Sequence, residues 1–252
     1  MTKIEWTEET WNPVTGCTKI SPGCANCYAE RMSKRLAANL GVYCFYKYEG
    51  FKVATWEDRL SQPMRWKKPR KVSVCSMGDL FHDDVPYPFI SKVFATIAQT
   101  PHIYQILTKR PANMLKWQQR SGWLEPRVWL GTSAERQTEL VLREPVLMQV
   151  PAAIRFLSLE PMLGPMQIGT NWRYSNGVQA GNVDWVIIGC ESGPNRRSME
   201  LEWAIDMVRQ CRDAGIAVFV KQLPINGKVS KNPGEWPEEL RIREYPQVPH
   251  GN

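Results

Sequence analysis

The sequence predicts an α/β chain, a partial β/α barrel of about six to seven parallel strands, and three observations carry that prediction. Short β-branched or apolar runs recur: KVSVCSMGD, HIYQILTKRP, RVWLGTSAER, IRFLSLEPM, VDWVIIGCESG and IAVFVKQLP, with TWNPVTGC as a candidate first strand before them. The stretches between the runs place apolar residues at helical spacing. Nearly every run ends in residues suited to chemistry: Ser76, Asp79, Thr108, Lys109, Ser133, Glu135, Glu160 and Glu191. Alternating strands and helices also suit a doubly wound open sheet, and it is the polar residues at many strand ends that favour a barrel mouth.

Taken in order, a first helix follows TWNPVTGC and the cysteines. Gly41 to Lys71, rich in aromatic and basic residues, is expected to loop over the mouth. Pro88 to Gln99 and Leu201 to Ala214 carry apolar residues three and four apart, and Gly215 closes the second as a helix C-cap. Gly164 to Asn182 contains Gly and Asn and reads as another loop over the mouth, and the chain after Pro224 reads as an irregular cap over 225–252. With 252 residues and 43% hydrophobic content, one domain over 1–252 is the simplest organisation.

No stretch approaches the roughly 18 to 20 apolar residues of a membrane-spanning helix, and MTKIEWTEETW lacks a signal-peptide plan, so a cytoplasmic protein is expected. The excess of 32 Lys and Arg over 25 Asp and Glu leaves +7, which favours an anionic partner but is also ordinary solubilising charge.

Seven cysteines form an odd set, at 17, 24, 27, 44, 75, 190 and 211, which is a poor match to a secreted disulfide framework. Cys17, Cys24 and Cys27 are spaced C-x6-C-x2-C in GCTKISPGCANCYAERM, where Gly16, Pro22 and Gly23 make a tight loop able to turn several thiolates toward one centre. Structural zinc takes four protein ligands, and no second CxxC or HxxxH appears. A thioredoxin-like pair of Cys24 and Cys27 would leave Cys17 unexplained. Three thiolates on a 4Fe-4S cluster leave one iron open, and S-adenosylmethionine needs such an iron for its amino and carboxylate groups.

The loop resembles that of the radical S-adenosylmethionine superfamily. WNPVTGC and CANCYA, with SMGDLFH, LTKRP, GTSAE, FLSLEPM and IIGCESG, resemble the phage and bacterial three-cysteine-motif family of unknown function, a similarity covering roughly Trp11 to Pro224. The commonest superfamily spacing is C-x3-C-x2-C with an aromatic before the last cysteine. Here the first gap is six and Asn26 holds that place. Tyr28 after Cys27 is instead similar to spore photoproduct lyase, which makes Tyr28 a catalytic candidate.

The resemblance implies reductive cleavage of S-adenosylmethionine to a 5′-deoxyadenosyl radical that abstracts hydrogen, with a donor such as flavodoxin or ferredoxin supplying the electron. It implies that Ser76, Gly78 and Asp79 approach the amino group of S-adenosylmethionine and that Lys109 neutralises its carboxylate. A helix N-cap is the other reading of Asp79, and a solvated pair with Arg110 that of Lys109. Ser133 and Glu135 are expected at the ribose, and Glu160 and Glu191 at adenosine or substrate; surface or core networks are the alternatives. Cys75, and less so Cys190, are candidate hydrogen-atom donors, although free cysteine is often only a small buried apolar residue.

WKKPRK, Trp66 to Lys71, and Arg196-Arg197 together suggest an electropositive mouth that receives a nucleic acid and its extruded base for repair or DNA modification. Modification of a peptide or small metabolite is the second reading, and a zinc-stabilised nucleic-acid-binding module without catalysis the third.

Overall fold

One step, a strand, a helix and the next strand laid parallel beside the last, builds most of the sheet. The computed structural model describes residues 4–39, 50–173 and 179–247. The strands are Glu9–Trp11 (β1), Val14–Thr15 (β2), Ala54–Thr55 (β3), Lys71–Val74 (β4), Ile103–Thr108 (β5), Val128–Ser133 (β6), Ile154–Leu159 (β7), Trp172–Arg173 (β8), Gln179–Gly181 (β9), Trp185–Gly189 (β10), Ala217–Ile225 (β11) and Lys228–Ser230 (β12). The helices are Tyr28–Asn39 (α1), Tyr87–Ala98 (α2), Pro111–Ser121 (α3), Gln137–Leu147 (α4) and Leu201–Asp213 (α5). The eight-stranded sheet runs β1-β4-β5-β6-β7-β10-β11-β12, and every pairing from β1 to β11 is parallel.

The order never reverses, so the sheet lacks the switch point of a doubly wound fold. It is not a closed barrel either: among the described residues β1 pairs only β4, and β12 ends the other side as an antiparallel hairpin on β11. The hairpin corrects the expectation of an irregular cap after Pro224. Asn226 and Gly227 both have positive φ, 48° and 72°, the conformation that a two-residue Asn-Gly turn requires. INGK was the signal for it.

Period-two alternation divides the core. Val128 and Leu130, Leu157 and Leu159, Val186 and Ile188, and Val218 and Val220 face the helices. Trp129, Phe156, Trp185, Ile187 and Phe219 face the other way and form an aromatic floor with Trp6. Trp185 is its hub, with ring centroids 5.7 to 6.1 Å from Phe156, Trp129, Trp6 and Phe219.

Only one of the two long insertions departs wholly from the place the sequence suggested; the described start of the other lies against the cysteine loop, where the Cys17 amide donates to the Phe51 carbonyl (3.0 Å). Gly164 to Asn182 crosses the helix face, because Met166 and Ile168 bury their side chains there. Backbone amides of Gln167, Ile168 and Gly169 donate to Gln137, Gln210 and Glu144 on α4 and α5. In the other insertion β3 pairs with β2, and the chain then descends to Trp66, which packs edge-on against His102 at the start of β5. WKKPRK runs into β4, its Lys71 being the first residue of the strand. In a parallel sheet that puts it at the N-terminal end of the strands, opposite the strand ends where the candidate site residues fall. Residues 41–49 of this insertion, with Cys44, lie outside the described residues, and so do 174–178 of the other. No helix among the described residues is long and apolar enough to cross a membrane.

Glu144 gives this packing a pH dependence. Burial pushes its carboxyl up to about 7, and the Gly169 amide only partly offsets that. The neutral acid is therefore the form the fold prefers, and its contribution is complete below pH 4.5 and lost as pH rises through about 7. The difference is about 3 kcal/mol. Glu144→Gln is expected to remove it, giving a variant more stable than wild type at pH 8 and similar at pH 4.5 in urea melts. Lower stability of the variant at pH 8 would contradict this account.

Candidate metal centre

Cys17 to Cys27 forms a loop at the C-terminal ends of the strands. Gly16 opens it with φ +82°, and a Cβ there would lie 1.8 Å from the Lys52 carbonyl oxygen, so only glycine fits. The Gly16 amide donates to the Met77 carbonyl (2.9 Å), and a bridge pairs Gly16 with Gly78. A short 3-10 turn, Pro22–Cys24, follows, and Cys27 immediately precedes α1. All three thiols are free and half-buried.

Three strand ends grip this loop. After β5, Arg110 is 7% exposed and uses all of its N–H donors. Nε donates to Asp83 (3.3 Å), NH1 to Asp79 (3.2 Å) and to Cys17 Sγ (3.5 Å), and NH2 to the carbonyl and hydroxyl of Thr18 (3.2 and 2.8 Å). His82 holds the same hydroxyl at 2.8 Å, and its Nδ1 accepts from the Asp84 amide, which leaves the proton on Nε2.

After β6, Glu135 accepts from the Gly23 amide at 2.7 Å, from Lys109 at 3.4 Å and from Arg143 at 3.3 Å. Lys109 also reaches Ser21 Oγ at 3.4 Å. A Cβ on Gly23 would meet the Lys109 ammonium at 2.6 Å, so glycine is what lets the loop settle onto this pair. After β10, Glu191 accepts from Asn26 (2.9 Å) and from the amide and guanidinium of Arg197. Arg197 donates onward to the Pro22 carbonyl at 2.9 Å.

These charges act on the thiols in opposite directions. Burial raises Cys24, but the Lys109 ammonium and hydrogen bonds from Ser21 and the backbone outweigh it and hold the thiol below its ordinary value. Burial, with Asp79, pushes Cys17 up to about 11 despite Arg110, and Cys24 adds to the rise. Burial also raises Glu135 and Glu191, and in each case neighbouring cations prevail: Lys109 for Glu135, Arg197 for Glu191.

Lys109, Glu135 and Glu191 are thus gathered at the cysteine loop, with Asp79 behind it. The Asp79 carboxylate is buried and accepts from Thr108 Oγ1 (2.7 Å), the amides of Phe81 (3.0 Å) and Lys109 (3.4 Å), and Arg110. That uses the lone-pair sites of a carboxylate, so Asp79 fixes the end of β5. Ser76 donates to Asn12 at 3.2 Å. Ser133 is buried, and its carbonyl accepts from Arg143 at 2.7 Å. Tyr28 opens α1 with 50% exposure. Glu160 is drawn to the partly buried Lys221 on β11 (2.8 Å) and to Ser158. Cys75 and Cys190 are 3% exposed and belong to the larger hydrophobic core.

The electropositive mouth is corrected as well. WKKPRK is at the other end of the sheet, Arg197 is neutralised by Glu191, and Arg196 donates to the Gly193 and Gly227 carbonyls. Nothing local in the sequence points to Arg110 and Arg143, which are buried, or to the partly buried Lys221, since a cation that the fold encloses reads like a solvated one.

Among the described residues, no three His, Cys, Asp or Glu side chains stand close enough together, as arranged, to hold a metal ion. The donor chemistry nevertheless suits an iron-sulfur cluster: three free, half-buried thiols on one short loop, with Lys109 and Arg110 beside them to offset thiolate charge. The chain matches no curated protein and no solved structure. The model of a family described as Protein of unknown function (DUF5131) matches residues 1–248.

Proposed function

The chain belongs to that family, and we propose that it is a radical S-adenosylmethionine enzyme, with its sheet a partial β/α barrel and Cys17, Cys24 and Cys27 as ligands of a 4Fe-4S cluster. The observation that carries this reading is the cysteine loop itself, three free thiols on a short loop held by Arg110 after β5, Glu135 after β6 and Glu191 after β10. Bound there, the cluster would supply an electron and an open iron for S-adenosylmethionine, the source of a radical that takes hydrogen from unactivated carbon.

The chain's own residues do the rest. Lys109 is the cation for the carboxylate of S-adenosylmethionine, and Glu135 orients it. Asp79 positions Thr108, Lys109 and Arg110. Ser76, Gly78, Ser133, Glu160 and Glu191 are the remaining strand-end groups for S-adenosylmethionine and substrate. The pairing of Arg197 with Glu191, which leaves Arg196 as the one exposed charge of that pair, and the place of WKKPRK at the far end favour a peptide or small metabolite over a nucleic acid.

Anaerobic reconstitution with iron and sulfide is expected to give a brown protein absorbing near 400 nm, with about four irons per chain. With dithionite and S-adenosylmethionine it should form 5′-deoxyadenosine, measured by chromatography. Stoichiometric zinc without iron would replace this reading with the non-catalytic zinc module.

A further inference from the structure

We propose that Arg110 positions Cys17 and raises the reduction potential of the metal centre, an inference that rests on the cluster reading above. Cys17 is the first ligand on the loop, and of the three it is the one whose sulfur accepts from a guanidinium, NH1 at 3.5 Å among the described contacts. The same guanidinium holds Thr18 through two further donors at 3.2 and 2.8 Å. A planar fork fixed at four acceptor residues cannot swing away from the sulfur.

Arg110 keeps its charge at any pH the protein tolerates, and it is buried. The same NH1 that donates to Cys17 donates to Asp79 at 3.2 Å, and Nε donates to the exposed Asp83 at 3.3 Å, so the carboxylates fix the cation beside Cys17, and its removal would leave the Asp79 charge uncompensated there. Reduction adds one electron, taken from an external donor such as dithionite, and hence one negative charge to a thiolate-bound cluster. A donor hydrogen bond and a buried cation at one ligating sulfur stabilise that charge more than they stabilise the oxidised state. Hydrogen bonds to the sulfurs and net charge are the levers by which a protein sets such potentials.

The test is a potentiometric titration followed by electron paramagnetic resonance on the anaerobically reconstituted full chain, with iron and sulfide assayed in the same samples. Arg110→Gln removes the charge and keeps a polar side chain for Asp79. It is expected to be about tenfold less reduced at the wild-type midpoint, a shift of about 59 mV to lower potential for one electron. Arg110→Lys keeps the charge without the fork and is expected between the two. A loaded Arg110→Gln protein with the wild-type midpoint overturns the proposal while leaving the cluster intact. If Arg110→Gln fails to fold, an unchanged midpoint in Arg110→Lys overturns it equally. A wild-type chain that takes up no iron overturns the cluster reading and this proposal with it.

Discussion

Cys24→Ala is expected to lose iron binding and to reduce 5′-deoxyadenosine formation to background, while its thermal unfolding stays close to wild type. Cys24 sits on a half-buried surface turn and adds nothing to either hydrophobic cluster, so its removal leaves no core cavity. Lys109 holds its thiol below the ordinary value, which favours the thiolate, the form that binds metal. Cys17→Ala and Cys27→Ala should behave alike. The contrasting variant is Cys211→Ala, fully buried on α5, which should keep iron and lose about 1 kcal/mol of stability. Cys75→Ala separates the packing of that residue from the hydrogen-donor role, which full product yield would rule out. Iron retained in Cys24→Ala at the wild-type ratio would show that the loop is not the metal site.

Trp185→Ala should be the most damaging substitution away from the loop, costing about 3–5 kcal/mol. Trp185 is fully buried, its ring contacts Trp6, Trp129, Phe156, Phe219 and Tyr245, and its Nε1 donates to the Glu244 carbonyl at 2.9 Å. It therefore ties the N-terminal segment, three strands and the C-terminal segment into one floor. At about 2–4 °C per kcal/mol for a chain this long, the midpoint of thermal unfolding should fall by about 10 °C, measured by circular dichroism. Trp185→Phe should recover most of that, leaving the cost of an unpaired Glu244 carbonyl, about 1 kcal/mol. A loss below about 1 kcal/mol in Trp185→Ala would mean that the floor repacks freely.

Much of the architecture was legible before any coordinates. All six apolar runs are strands of the sheet, in order, because local β-branched composition and helical spacing between runs are properties of short windows. The Asn226-Gly227 turn was legible too, and was overlooked. So was the position of WKKPRK: a segment directly before a parallel strand belongs to the end from which the strands start.

Other features could not be read in this way. Glu160 looked like its neighbours at the strand ends, yet Lys221, about sixty residues on, takes it up. Gly164 to Asn182 looked like a free loop until Met166 and Ile168 found an apolar groove between helices.

The sequence by itself determined the strand and helix pattern, the glycine positions and the set of three thiols, all consequences of local backbone preference and side-chain chemistry. Only the tertiary structure decided that Asp79 is saturated, that Arg110 is buried against Cys17, and that Glu135 and Glu191 hold the loop backbone and Asn26. Each of these depends on at least one partner between 31 and 165 residues away, and a charge is satisfied mainly by what the fold brings to it rather than by its neighbours in the chain.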